Sequence, residues 1–202
     1  MLETSTATVE GLVQDLDVLI RARYPLISVA TFEESRFRRL MRAVATLERH
    51  KPKGLYAWSR TLGLRQVAGP NIGVGERPIS GTEDPISVLE HIARADLGLY
   101  VLCDFGAYLV PDGLPDSILV RQLRELAWAI KAKPVTVLFV GPTFPEIPAL
   151  EKEVKTIDLP LPDEGEVSAI LNMQLDRLAS LPDLRLDVDP HTLDSSCLPY
   201  WG

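Results

Sequence analysis

One carboxylate stands out by its position. The run Leu97-Gly98-Leu99-Tyr100-Val101-Leu102-Cys103 is apolar throughout and ends on Asp104. A run of this length without polar alternation reads as a strand buried on both faces, as in the middle of a parallel sheet covered by helices. Asp104 then lies at the carboxyl end of that strand, where the loops of an open α/β sheet enclose a ligand crevice. Enzymes that hydrolyse nucleotides often carry there an Asp that holds magnesium, followed by a Glu that polarises water. The residue after Asp104 is Phe105. Magnesium is held by one or two carboxylates together with substrate phosphates, so a lone Asp104 needs a phosphate-binding partner elsewhere in the chain. Without one, the plainer account is an Asp that caps the turn after its strand.

That partner should lie between the first strand and its helix, as a loop of the type G-x-x-x-x-G-K-[ST] whose backbone N–H groups and Lys reach phosphates. The chain has Ala30-Thr31-Phe32-Glu33-Glu34-Ser35-Arg36 there, with no Gly and with two carboxylates where an anion would sit. No G-x-G-x-x-G follows that strand, and Gly73-Val74-Gly75 falls in the wrong context for a dinucleotide site. Trp58, Ser59, Arg60 and Thr61 leave the second strand at the same edge of the sheet, and Trp58, Arg60 and Asp104 are therefore the candidates for a ligand pocket. The plainer account of Trp58 is packing under the Gly-rich segment that follows it. No residue is expected to be catalytic, and Asp104 is the only metal candidate.

Other chemistry is sparse. Cys103 is expected inside the sheet and Cys197 near the carboxyl end, which gives neither a disulfide framework nor zinc-ligand spacing. His50, His91 and His191 are isolated on the chain and read as surface or packing residues. Arg36, Arg38, Arg39 and Arg42 form a basic face on one helix, and Arg121 and Arg124 another. Both read as solvated faces, because the chain is acidic overall, with net charge −7 and pI near 5.0. The same balance opposes a broad nucleic-acid or membrane footprint. No apolar segment reaches the roughly 20 residues of a membrane span, and the first residues lack a basic and apolar leader, so the expected compartment is the cytoplasm.

The elements that must position these residues follow from periodicity. Leu12, Val13, Leu16, Leu19 and Ile20 recur at helical spacing before Pro25, and Leu26 to Thr31 form a short β-rich run. Phe37, Leu40, Met41, Val44 and Leu47 share one face of a second helix, and Gly54 to Ser59 read as a strand. Arg60 to Asp84 hold seven Gly or Pro residues with little periodicity, which predicts a long binding loop or a small hairpin. Asp84-Pro85 starts a helix, and after the central strand a longer helix carries Ile118 to Ile130. Val135 to Val140 read as a fourth strand and Val154 to Leu159 as an edge strand bounded by Pro160 and Pro162. Asp163 and Glu166 have capping-box spacing before a last helix from Val167 to Leu175. The alternation predicts an α/β fold: a three-layer sandwich around a five-stranded, mostly parallel sheet.

Several pieces, in this order and spacing, resemble the N-terminal part of a cyanobacterial and algal-plastid AAA-type ATPase family first named as a hypothetical chloroplast reading frame. They are Leu19 to Ile27, Thr31 with Glu33, Glu34 and Arg36, Trp58-Ser59 with Thr61 and Gly63, Asp84-Pro85, Asp104-Phe105, Val120 to Ala127, and Leu159 to Pro162. The resemblance implies a P-loop NTPase (AAA)-like sheet of order 5-1-4-3-2 and a degenerate module, in which Asp104 matches the magnesium Asp while Phe105 replaces the catalytic Glu. Gly141-Pro142-Thr143 lacks the Asn expected after the fourth strand. It also implies an incomplete lid, dividing the chain into residues 1–162, without a phosphate loop, and 163–202, a truncated lid helix and tail that packs poorly beyond Pro190. No cofactor is expected, ATP and magnesium belonging to a second module absent here. The expected function is a non-catalytic interaction or regulatory domain that works with a protein partner or an attached ATPase module, with an oligomer left open. The alternative is a nucleotide-binding or hydrolytic enzyme of another doubly wound class, using the carboxyl edge of the sheet.

Overall fold

The computed structural model describes residues 9–50, 53–70, 72, 75–162, and 165, 167, 168, 171 and 172. Asp163 and Glu166, most of the helix expected from Val167 and the tail after it lie outside the described residues. The chain divides into two units, residues 1–160 and 161–202, and every element named below belongs to the first.

Helix α1, Val9–Arg21, buries Leu12, Leu16 and Ile20 at helical spacing. It ends with Arg23 in the left-handed region at φ 57°, where the Tyr24 N–H donates to the Leu19 carbonyl at 2.9 Å and the Arg23 N–H to that of Ile20 at 3.2 Å. Such a stop usually carries Gly, so it has no sequence signal here beyond Pro25. Strand β1, Leu26–Ala30, leads into α2, Glu34–Thr46. Strands β2, Leu55–Ser59, β3, Gly63–Ala68, and β4, Arg77–Ile79, precede α3, Pro85–Ala93, whose first turn is capped by the Asp84 carboxylate. Strand β5, Gly98–Cys103, is followed by the short α4, Gly106–Leu109, and by α5, Ser117–Ile130, capped by Asp116. Strands β6, Val135–Gly141, and β7, Val154–Asp158, complete the sheet. No helix among the described residues is long and apolar enough to cross a membrane.

The sheet has seven strands in the order β4-β3-β2-β5-β6-β1-β7. It is mixed: β1 pairs in parallel with β6 and β7, and β5 with β2 and β6, while β3 is antiparallel to both β2 and β4. This corrects the five-strand count. The Gly-rich stretch after β2 is a hairpin that widens the sheet, not an open loop, with Leu64, Gln66 and Val67 buried. Its glycines break the alternation in sequence, and one side chain replaces the missing signal. The Thr82 hydroxyl accepts from the Leu64 N–H at 2.8 Å and donates to the Ile79 carbonyl at 2.6 Å, while its own carbonyl accepts from the Trp58 indole.

Side chains alternate across the sheet into two cores. On one face Leu26, Trp58, Leu64, Tyr100, Leu102, Val137 and Phe139 pack against α3, α4 and α5. On the other Ile27, Val29, Ala57, Leu99, Val101, Leu138 and Val140 pack against α1 and α2. The arrangement is therefore three-layered, helices on both faces.

One polar knot ties α1 to the end of α2. The Asp17 carboxylate, buried in α1, accepts from Arg49 Nε at 2.6 Å and from His50 Nε2 at 2.8 Å. A carboxylate only accepts, so the buried His50 carries its proton on Nε2 and offers Nδ1 to the Lys53 ammonium at 3.4 Å. Burial alone would raise the Asp17 pKa, but hydrogen bonds from Arg49 and His50 outweigh it and hold the carboxyl below its ordinary range. Burial pushes the His50 pKa down despite Asp17, with Lys53 and Arg49 adding to the effect. Both groups therefore bind protons more weakly folded than unfolded, so stability is full above the ordinary His value near 6.5 and declines as pH falls. Thermal melting is expected to be flat from about pH 7 to about pH 8 and to drop from about pH 6.5 downward. His50→Gln should flatten the first part of that drop, leaving a share to His91, which burial also depresses.

Candidate functional site

The carboxyl ends of β1, β5 and β6 lie side by side, because pairing continues one residue past each strand. The Thr31 N–H donates to the Gly141 carbonyl at 2.8 Å, and the Asp104 N–H to that of Val140 at 2.7 Å. Asp104 is exposed and turns the chain at φ 54°, a conformation that Asp tolerates better than most residues. Its carbonyl accepts from the Ala107 N–H at 3.2 Å and so opens α4. Its carboxylate lies over Gly141, where an added Cβ would stand 3.0 Å from Oδ1. Phe105, the residue after Asp104, is fully buried, its ring centroid 5.5 Å from Trp58 and 5.4 Å from Phe139.

The turn after β1 is short and internally bonded. The Thr31 hydroxyl accepts from the Glu33 N–H at 2.9 Å, and α2 begins at once with the Phe37 N–H on the Glu33 carbonyl at 3.0 Å. Both carboxylates have partners. Glu33 meets Arg36 at 2.8 Å, and Arg36, only 5% exposed, also donates to the Pro160 carbonyl at 2.7 Å. Glu34 lies 3.4 Å from Arg38, and its charge adds to the burial that pushes the Cys103 thiol pKa up. Phe32, before Glu33 in the turn, is 89% exposed.

The three candidates do not converge on one cleft. Trp58 pairs in register with Leu102, so it stands beside the strand that ends at Asp104, yet its ring is buried against Phe105 and Tyr108 and its single N–H is bonded to the Thr82 carbonyl. Arg60 is exposed and lies 4.0 Å from Asp84, the cap of α3, while the Ser59 and Thr61 hydroxyls are 3.3 Å apart. Of the basic faces, that on α2 is ion-paired, not merely solvated: Arg36 is buried, and Arg38 and Arg42 both approach Glu76 at 3.4 Å. Arg121 and Arg124 lie over the Trp128 ring, each 5.3 Å from its centroid. Glu76 and Thr82 carried no motif, since both sit among glycines and prolines. A cavity of about 530 Å³ lies elsewhere, between the β6–β7 connection and β7, lined by Phe144, Ile147, Leu150, Val154 and Thr156 with Glu146 and Glu151.

A frame of this kind, with its strand ends in line and Asp104 beside Gly141 in that row, has known relatives. Residues 12–159 match the family described as the SpoVK-like AAA ATPase, N-terminal domain. The chain belongs to that family. It is 26% identical over 182 residues to the AAA domain-containing protein ycf46 of Trieres chinensis, an alignment that covers 90% of this chain and 33% of the relative. The ycf46 protein of Pyropia yezoensis is 27% identical over 186 residues, with 91% and 35% covered, and that of Guillardia theta 26% over 179 residues, with 87% and 33%. The chain thus spans about a third of the length of the curated relatives it matches, and it corresponds to the N-terminal AAA region of ycf46-like proteins.

Three substitutions at two positions test the edge of this AAA-family domain. Asp104→Asn, which keeps a side chain suited to positive φ, is expected to leave the melting temperature nearly unchanged, whereas Asp104→Val should cost about 1–2 kcal/mol in denaturant unfolding. At Gly106 an added Cβ would lie 2.9 Å from the Thr143 carbonyl oxygen, so Gly106→Ala must displace the chain after β6 and should cost about 1–3 kcal/mol.

Proposed function

We propose that this AAA-family N-terminal domain is a non-catalytic interaction or regulatory module, without a nucleotide site of its own, that recruits or positions a protein partner for an ATPase module. The observation that carries this reading is the turn from β1 into α2. A phosphate loop works by turning several backbone N–H groups toward the anion. Here the Glu33 N–H is taken by the Thr31 hydroxyl, no glycine permits a wider loop, and Glu33 and Glu34 bring negative charge to the place where phosphates would lie. A triphosphate does not fit these residues. Magnesium fares no better, since Asp104 would meet it without phosphates, and the next residue is the buried Phe105. The parallel strands β7, β1, β6, β5 and β2 neighbour one another in that order, which is 5-1-4-3-2 when they are numbered among themselves. This supports an AAA-like frame kept for its shape and surface.

The test is calorimetric titration of the full chain with ATP and magnesium. No saturable heat is expected. A dissociation constant tighter than about 100 μM, about −5.5 kcal/mol, would overturn the reading in favour of a nucleotide-binding or hydrolytic domain acting through Asp104.

A further inference from the structure

The basic face of α2 has a property that its ion pairs do not exhaust. Arg38 and Arg42, one turn apart, and Arg65 from β3 converge on the single carboxylate of Glu76. Both Nη2 groups stand 3.4 Å from its Oε1, and Arg65 Nε stands 3.6 Å from its Oε2. Charge-assisted N–H···O bonds close to about 2.7–2.9 Å when geometry allows, so Glu76 bridges three cations without bonding tightly to any. Donors are also in excess. Each guanidinium offers about five N–H groups and a carboxylate about four acceptor positions. Apart from Glu76, Arg42 has the Val67 carbonyl at 2.6 Å and Arg38 has Glu34 at 3.4 Å, while the buried Arg65 Nε makes no hydrogen bond.

We propose that Arg38, Arg42 and Arg65 form a docking site for an acidic peptide segment of a protein partner, and that Glu76 occupies this site in cis until such a segment displaces it. This deepens the interaction reading given above and rests on it. The seated Glu76 shows that the cradle accepts a carboxylate. The three arginine side chains are partly exposed, at 33%, 45% and 31%, so a second carboxylate can approach Arg38 and Arg42 from solvent and reach the buried Arg65 Nε by taking the place of Glu76. Each lies on rigid structure: Arg38 and Arg42 on α2, and Arg65 within the β3 ladder, in register with Ala57 and Pro78. A short acidic segment also suits the electrostatics better than a nucleic acid. The site is a compact basic spot on a chain of net charge −7, which repels an extended polyanion beyond the spot itself, and among the described residues the cation–ring contacts are those of Arg121 and Arg124 with Trp128, not of Arg38, Arg42 or Arg65.

The experiment uses the full chain and a fluorescein-labelled oligoglutamate peptide, followed by anisotropy at low ionic strength, with thermal melting of every variant. Wild type is expected to bind the peptide, and binding should weaken as salt is added. Glu76→Gln, which removes the competing carboxylate and keeps its shape, should tighten binding by about tenfold, about 1.4 kcal/mol. The double change Arg42→Gln with Arg65→Gln should abolish it. Arg42→Lys alone keeps the charge but loses the planar fork and should weaken binding severalfold, which supplies the test if the double variant does not fold. No gain from Glu76→Gln, unchanged affinity in the arginine variants, or capture of single-stranded DNA in place of the peptide would overturn the proposal. ATP titration is independent of these arms: silence toward both ATP and peptide removes this surface alone, whereas ATP binding removes the non-catalytic reading whatever the peptide does.

Discussion

Everything in the sheet depends on β5 having no solvent-facing side. All six of its residues are buried, and from Leu99 onward they alternate between the two hydrophobic clusters, so this middle strand of the seven, like β6 beside it, belongs to both cores. A strand in that position cannot leave backbone groups unpaired, because each buried orphan would cost about 1–3 kcal/mol. It therefore needs a neighbour on each side, and β2 and β6 supply them in parallel along its length. Parallel neighbours in turn require crossover helices, and these become the outer layers that close both cores.

The same constraint determines what the carboxyl edge offers. Because β1, β5 and β6 are held in register, their last residues emerge together, and Thr31, Asp104 and Gly141 form a row whose backbone is already bonded. Aromatic rings fill the space beneath: Trp58, Phe105, Tyr108, Phe139 and Phe144 are in successive contact on the α5 side. Below that row lies packed hydrocarbon. The ionic contacts instead gather on the outside of α2 and the hairpin, where Arg38, Arg42, Arg65 and Glu76 meet.

Much of this was legible from the residues alone, and what escaped did so for physical reasons. The continuous apolar run into Asp104, the Asp84-Pro85 cap and the helical stripe of α5 are strong local signals, each set by burial or by a first-turn hydrogen bond. The hairpin of β3 and β4 was only one of two readings, because Gly63, Gly69 and Gly75 interrupt the alternation and its register depends on Thr82, a contact made by tertiary structure. Pairing of Glu33 with Arg36 is local and was within reach at three residues' spacing; the Pro160 carbonyl that completes the arrangement is 124 residues away and was not. The Glu76 cluster joins α2 to the hairpin across 34 to 38 residues, with no periodicity to announce it.

The buried Arg36 has a consequence for how this sequence can change. Its guanidinium lies under the turn after β1 and takes the Glu33 carboxylate and the Pro160 carbonyl among its partners. Replacing Glu33 on the way to a glycine-bearing turn withdraws one counter-charge from a nearly buried cation, and because the Glu33 side chain is itself 45% exposed the cost is about 1 kcal/mol, well short of that of a fully buried pair. Replacing Arg36 first takes one donor from the Pro160 carbonyl and the counter-charge from Glu33. The two positions are therefore coupled, each change costing more while the other residue stays, so the turn is expected to drift as a pair of residues and not one at a time.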